Sequence, residues 1–131
     1  MQYLLDTHTF LWFVNDSDEI PEQLFNLLES DVDLLLSIAS LWEIAIKVNI
    51  GKLILPKLYT NFISEQTQLN DIEILPISLE HLNLISTLPP YHKDPFDRLI
   101  IAQSLVENLI VISKDSAFDD YNITRLGQLS S

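Results

Sequence analysis

Four acids stand where their carboxylates could do chemistry together: Asp6, Glu43, Asp97 and Asp115. Asp6 closes a short apolar run at the start of the chain. Glu43 lies in Ser40-Leu41-Trp42-Glu43, at the start of a helix-period stretch. Asp97 lies in Asp94-Pro95-Phe96-Asp97, and Asp115 follows Ser113-Lys114 just beyond another apolar run. Carboxylates without cysteine or histidine partners suit hard cations that prefer oxygen ligands, which points to Mg²⁺ or Mn²⁺. Such an ion polarises a phosphoryl oxygen, acidifies a bound water and stabilises a leaving oxygen, the requirements of phosphodiester hydrolysis. Each acid also has a purely structural reading. Ser40 to Glu43 and Asp94 to Asp97 both have the spacing of a helix cap, and Asp115 has that of a turn residue. Asp6 is harder to explain that way, because an acid ending a buried strand is costly to desolvate unless it is paired or metal-bound.

The elements that must position these acids alternate between short apolar runs and helix-period stretches. Strands are expected at 3–5, 32–37, 72–77, 109–113 and 123–126. Pro76 within the third suggests a place near an edge. Helices are expected at 7–15, with Thr7 as cap, at 21–30, with Pro21 in the first helical position, and at 40–50, with Gly51 as its stop. Further helices are expected at 57–69, at 78–88 with Ser78 as cap, and at 95–108 with Asp94 as cap. A short turn or helix spans 116–120. Strands separated by helices predict an α/β fold, a three-layer α/β/α sandwich around a central, mostly parallel sheet. The whole of 1–131 reads as one domain. Ligands of such sheets bind beyond the carboxyl ends of the strands, and all four acids can face that rim.

Composition narrows the alternatives. The chain is 47% hydrophobic and 20% charged, an ordinary globular balance. No apolar stretch has the length of a membrane span, and the N-terminal residues carry no basic leader. There is no cysteine, so neither a disulfide framework nor a thiolate metal site is available. A cytoplasmic location is the expectation. The net charge of -12, from 19 acids against 7 bases, excludes nucleic-acid binding through a broad basic face. It leaves basic protein segments as plausible partners. Gly51 and Gly127 lie far apart, so no glycine-rich phosphate loop exists.

At the four acids the sequence resembles the PIN-domain ribonucleases, and more closely the toxin half of VapBC-type toxin–antitoxin pairs. The resemblance rests on Leu4-Leu5-Asp6-Thr7-His8, on Ser40-Leu41-Trp42-Glu43-Ile44-Ala45-Ile46-Lys47, on Asp94-Pro95-Phe96-Asp97-Arg98-Leu99-Ile100-Ile101-Ala102-Gln103, and on Ile112-Ser113-Lys114-Asp115. In order and spacing these stretches cover nearly the whole chain. The resemblance implies a PIN-like fold and Mg²⁺- or Mn²⁺-dependent cleavage of RNA by a metal-activated water. It also implies a homodimer and a cognate antitoxin protein. It makes Asp6, Glu43, Asp97 and Asp115 the catalytic and metal-binding residues, with Asp119 and Asp120 close enough in sequence to compete with Asp115. Ser113 matches a position where the family often has a small hydroxyl residue near the metal.

Several neighbours are candidates for contacting substrate or supporting the site. His8 lies next to Asp6. Lys47, Arg98 and Lys114 each adjoin a proposed acid, either as charge balance or as a local phosphate grip. His92 and Lys93 precede the 95–108 helix, as a solvated loop or as contacts to RNA phosphates. His81 is expected on the surface. Trp12 and Phe13 cannot share one buried face, so one of them is free to meet a dimer partner or antitoxin. Among rival classes, a haloacid-dehalogenase-like phosphatase needs an Asp where His8 stands. A receiver domain needs an acidic pair near the start and a phosphoacceptor Asp where Ser37 ends its strand. A catalytically silent interaction module of the same fold is the remaining alternative.

Overall fold

The computed structural model describes residues 1–127. Five strands, β1 (Gln2–Leu5), β2 (Asp33–Ser37), β3 (Ile72–Leu75), β4 (Ile110–Ile112) and β5 (Thr124–Leu126), form one sheet in the order β3-β2-β1-β4-β5. Every neighbouring pair is parallel. Among the described residues six helices connect them: α1 (Thr7–Val14), α2 (Glu22–Glu29), α3 (Ile38–Asn49), α4 (Tyr59–Leu69), α5 (Leu79–Ile85) and α6 (Pro95–Glu107). A 3₁₀ turn at Ser116–Asp120 joins β4 to β5.

Side-chain alternation along the strands divides the interior in two. Tyr3, Leu5, Leu34, Leu36 and Ile112 pack with Phe10, Phe13, Leu24, Leu41, Ile44 and Phe62 of α1–α4 on one face. Leu4, Leu35 and Val111 pack with Ile100, Ile101, Phe118 and Tyr121 on the other, against α6 and the 3₁₀ turn. The central strands are therefore apolar on both sides, as parallel strands covered by helices must be. The right-handedness of parallel crossovers explains the layering. The chain steps from β1 to β2 to β3 in one direction with its helices on one face. It then crosses back from β3 to β4 with α5 and α6 on the opposite face, as right-handed crossovers require. The step reverses between β1 and β4, so the crevice of this sheet opens at the carboxyl ends of those two strands.

Local signals set the boundaries. β3 is an edge strand and ends one residue before Pro76. Gly51, at φ +77°, and the bonds from its N–H to Val48 O and from the Lys52 N–H to Lys47 O stop α3. Asn108, at φ +57°, ends α6 in the left-handed conformation, which asparagine tolerates better than most residues.

Some sequence expectations are corrected. The first helix is capped by Asp6, not Thr7. Pro21 occupies the N-cap position of α2, one residue ahead of its expected place. α3 begins two residues earlier than its apolar spacing suggested, because Ser37 caps it by accepting from the Ala39 N–H. Glu43 therefore lies in the second turn, and Ser40 is a buried residue instead of a cap. His81 is not a surface residue but is almost fully buried. Its Nδ1 accepts from the Ser78 N–H at 3.0 Å, and its Nε2 lies 2.7 Å from Glu107 Oε2, fastening α5 to α6.

Candidate metal centre

β1 delivers Asp6 to the crevice and converts it at once into a helix cap. Its extended backbone turns the carboxylate towards α1, where Oδ1 accepts from the Thr9 N–H at 2.8 Å. The side chain is buried. Thr7, the next residue, reaches across to α3. Its Oγ1 donates to Glu43 Oε1 at 2.6 Å and lies 3.0 Å from Ser40 Oγ. Glu43 Oε2 meets Lys47 Nζ at 3.3 Å, one helical turn on. The second turn of α3 is thus held against the end of β1 through a hydroxyl that sequence reasoning had assigned to capping.

Asp97 arrives from the other half of the chain. Asp94 caps α6, its Oδ1 accepting from the Phe96 and Asp97 N–H groups at 2.8 and 3.1 Å. Pro95 fills the first helical position, so Asp97 is fixed in the first turn. Burial pushes the Asp97 carboxyl up to about 7, helped by the negative charges of Asp94, Glu43 and Asp6 and opposed by His92. Asp6 and Glu43 are therefore close enough to Asp97 to act on its charge. Asp115 follows β4 and caps the 3₁₀ turn, its Oδ1 accepting from the Ala117 N–H at 2.9 Å. Ser113 is buried beside it and accepts the Asp115 N–H at 3.0 Å.

His92 is the residue whose place the sequence did not reveal. Its Nε2 lies 3.1 Å from Asp97 Oδ2 and 3.9 Å from Asp115 Oδ2. One atom from each of the three residues falls within a 4.8 Å span. The signal was faint: a histidine two residues before an N-cap, in a loop that composition alone marks only as polar.

The other candidates separate by what they touch. Arg98 is bound elsewhere. Nη1 donates to Pro89 O, His92 O and Tyr121 Oη, and Nη2 to Ile85 O and Leu88 O. It clamps the loop between α5 and α6. Asp119 forms a two-pronged pair with Arg125, both bonds at 2.8 Å, and its carboxyl is lowered by that contact. Lys114 lies 3.7 Å from Glu19 and 5.5 Å from the centre of the Trp12 ring. His8 is exposed and stacks obliquely on Trp12 at 5.7 Å between centroids. Phe13 is the buried member of the aromatic pair and Trp12 the half-buried one.

The donors suit a hard divalent cation. Carboxylates from four separate segments face one crevice, and Asp97 holds its proton there chiefly because it is buried and, after that, because Asp94, Glu43 and Asp6 add negative charge. A cation relieves that charge in a way that the two flanking bases, both engaged with glutamates, do not.

Comparison with known proteins follows the same lines. The sequence model of the PIN domain family matches residues 3–123, so the chain belongs to the PIN domain family. No curated protein matches it by sequence. Among solved structures, it is similar to VapBC2 from Rickettsia felis, bound to a DNA fragment from their promoter. That match has a TM-score of 0.71 at 19% identity and covers 96% of this chain and 98% of that one. FitAcB from Neisseria gonorrhoeae is similar at a TM-score of 0.68 and 19% identity, with 95% and 96% covered. DNA-bound VapBC from Salmonella typhimurium follows at 0.63 and 19%, with 96% and 97% covered. At these identities the likeness establishes the shared three-layer fold.

Proposed function

We propose that this PIN-domain protein is a Mg²⁺- or Mn²⁺-dependent endoribonuclease, and that it is the toxin partner of a toxin–antitoxin pair. The observation that carries the reading is the convergence of Asp6, Glu43, Asp97 and Asp115 at the crevice between β1 and β4, with Asp97 pushed up to about 7 by burial and by its acidic neighbours. Its similarity to several VapBC and FitAB structures supports the toxin assignment.

Asp6, Asp97 and Asp115 would hold the ion, and Glu43 would complete the set directly or through water. When bound, the ion supplies an acidified water and a counter-charge for the scissile phosphate. The chain's own residues do the rest. Asp6 uses one carboxylate oxygen as a cap, so its orientation is fixed before any ion arrives. Thr7 and Lys47 hold the two oxygens of Glu43. Ser113 sets the turn that presents Asp115. His8 and Lys114 adjoin Asp6 and Asp115 along the chain and would be the side chains to meet an RNA backbone in a protein of net charge -12. The acidic crevice is equally suited to a basic segment of an antitoxin. The exposed apolar row Ile38, Trp42, Ile46 and Ile50 along α3 favours a second copy of the chain as a further partner.

The test is cleavage of structured RNAs by wild type and Asp6→Asn, each with Mg²⁺, Mn²⁺ or EDTA. Wild type should cut only with metal, and Asp6→Asn should lose at least two orders of magnitude. Cutting that survives both EDTA and Asp6→Asn would overturn the reading.

A further inference from the structure

On distance alone His92 looks like a metal ligand, since its Nε2 sits 3.1 Å from Asp97 Oδ2 and 3.9 Å from Asp115 Oδ2. The far side of the ring argues otherwise. The Asp94 backbone N–H points at His92 Nδ1 from 3.3 Å. A ring nitrogen that accepts a hydrogen bond carries no proton, so the ring proton sits on Nε2. A metal would need the lone pair of that same atom and would move the proton to Nδ1. Two N–H groups would then face each other across the Asp94 contact.

The ring is not free to avoid this conflict. The His92 N–H donates to Tyr121 Oη at 3.0 Å, and its carbonyl accepts from Arg98 Nη1 at 3.2 Å. Tyr121 Oη in turn donates to Pro89 O at 2.6 Å, and the His92 ring lies against Phe118 at 6.1 Å between centroids. Nε2 itself is buried, and no hydrogen bond of full geometry satisfies it. A buried donor has strong reason to find an acceptor, and the acceptors facing it are Asp97 and Asp115.

We infer that His92 is a positioning residue: its Nε2–H donates to the Asp97 carboxylate, with Asp115 alongside, and aims their oxygens at a cation that is coordinated by oxygen alone. The inference rests on the metal reading above and deepens it. Asp94 then has two functions. Its side chain caps the helix that carries Asp97, and its backbone N–H selects the histidine tautomer that orients Asp97.

The experiment titrates Mn²⁺ into wild type, His92→Gln and His92→Ala. It follows free Mn²⁺ by electron paramagnetic resonance and the bound ion by electron spin-echo envelope modulation. Gln can place an N–H near the position of Nε2, but its amide nitrogen offers no lone pair to a metal. The bound wild-type ion should show no coupling to a directly ligated ¹⁴N. His92→Ala should bind Mn²⁺ about 10-fold more weakly, and His92→Gln should recover most of that loss. A ¹⁴N coupling in wild type that disappears in His92→Gln would overturn the inference and make His92 a ligand, leaving the nuclease reading intact. Equal affinity in all three proteins would also overturn it. If His92→Ala does not fold, the wild-type spectrum and the Gln variant decide. Failure of wild type to bind Mn²⁺ at all would bring down the metal reading and this inference together.

Discussion

Asp97 holds its proton with an affinity that an ordinary aspartate lacks, and this has a measurable consequence. Its carboxyl moves from 3.8 to about 7 on folding. Between those values the folded protein binds a proton that the unfolded chain has released, so the contribution of this group to stability falls as pH rises across that window. With chelator present, wild type should therefore melt at a lower temperature near pH 8 than near about pH 5.5. Asp97→Asn should flatten that difference, and adding Mg²⁺ or Mn²⁺ should recover stability at the higher pH in wild type only. Melts of wild type and variant with the same pH dependence would refute the raised proton affinity of Asp97. Asp6→Asn separates fold from site in another way. Asparagine caps a helix about as well as aspartate, so the variant should melt near wild type without metal. It should lack the upward shift that a bound ligand confers. Equal metal-induced shifts in the two proteins would remove Asp6 from the site. Asp6, Glu43, Asp97 and Asp115 could be singled out from the sequence because each lies just past a strand or near the start of a helix. His92 was not, because its position depends on a loop held by Arg98 and Tyr121, contacts that no local pattern encodes.

At the level of elements, most boundaries could be read and the cap of α3 could not. Ser37 and Ser40 both precede apolar helical spacing, and Ser40 offered the better pattern, with Glu43 three residues on. The structure chose Ser37 because it ends β2, where the chain is already extended and its hydroxyl faces the first turn. The choice moves Glu43 from a capping position into the second turn, where Thr7 meets it. Helix α6 was the clearest to read, since Asp94 and Pro95 mark its start on chemical grounds. Removing that cap should be felt at the site as well as in the fold. Asp94→Ala should cost about 1 kcal/mol of stability, seen as a lower melting temperature, and should weaken Mn²⁺ binding because Asp97 is in the capped turn. A variant that loses stability but keeps full Mn²⁺ affinity would show that the cap does not help to place Asp97.

For the molecule as a whole, the parallel sheet and its two covering layers were predictable from the alternation of strands and helices, but the strand order was not. Runs such as Leu34–Leu36 are buried on both faces, so their sequence carries no alternation to say which helices lie on which side. The order emerges only from the handedness of the crossovers and from packing. Outside the core, the row Ile38, Trp42, Ile46 and Ile50 recurs every fourth residue of α3 and its C-cap, and it stays exposed. Phe96 of α6 packs edge-on against Trp42, at 5.1 Å between centroids. If a second copy covers this row through a two-fold contact, wild type should sediment as a dimer and Trp42→Glu as a monomer with an unchanged circular dichroism spectrum. Two proteins of equal mass in solution would exclude α3 as the contact.

The position of β1 at the middle of the sheet also bears on the order of events during synthesis. β1 is the first strand to leave the ribosome, and one of its two neighbours, β4, is the fourth. Translation proceeds at roughly 5–20 residues per second, so the first strand waits seconds for a partner more than a hundred residues downstream. Until then Asp6 has neither Asp97 nor Asp115 beside it, and the crevice does not exist. In a nascent chain of this topology the four acids are therefore brought together only by the same late pairing that completes the fold.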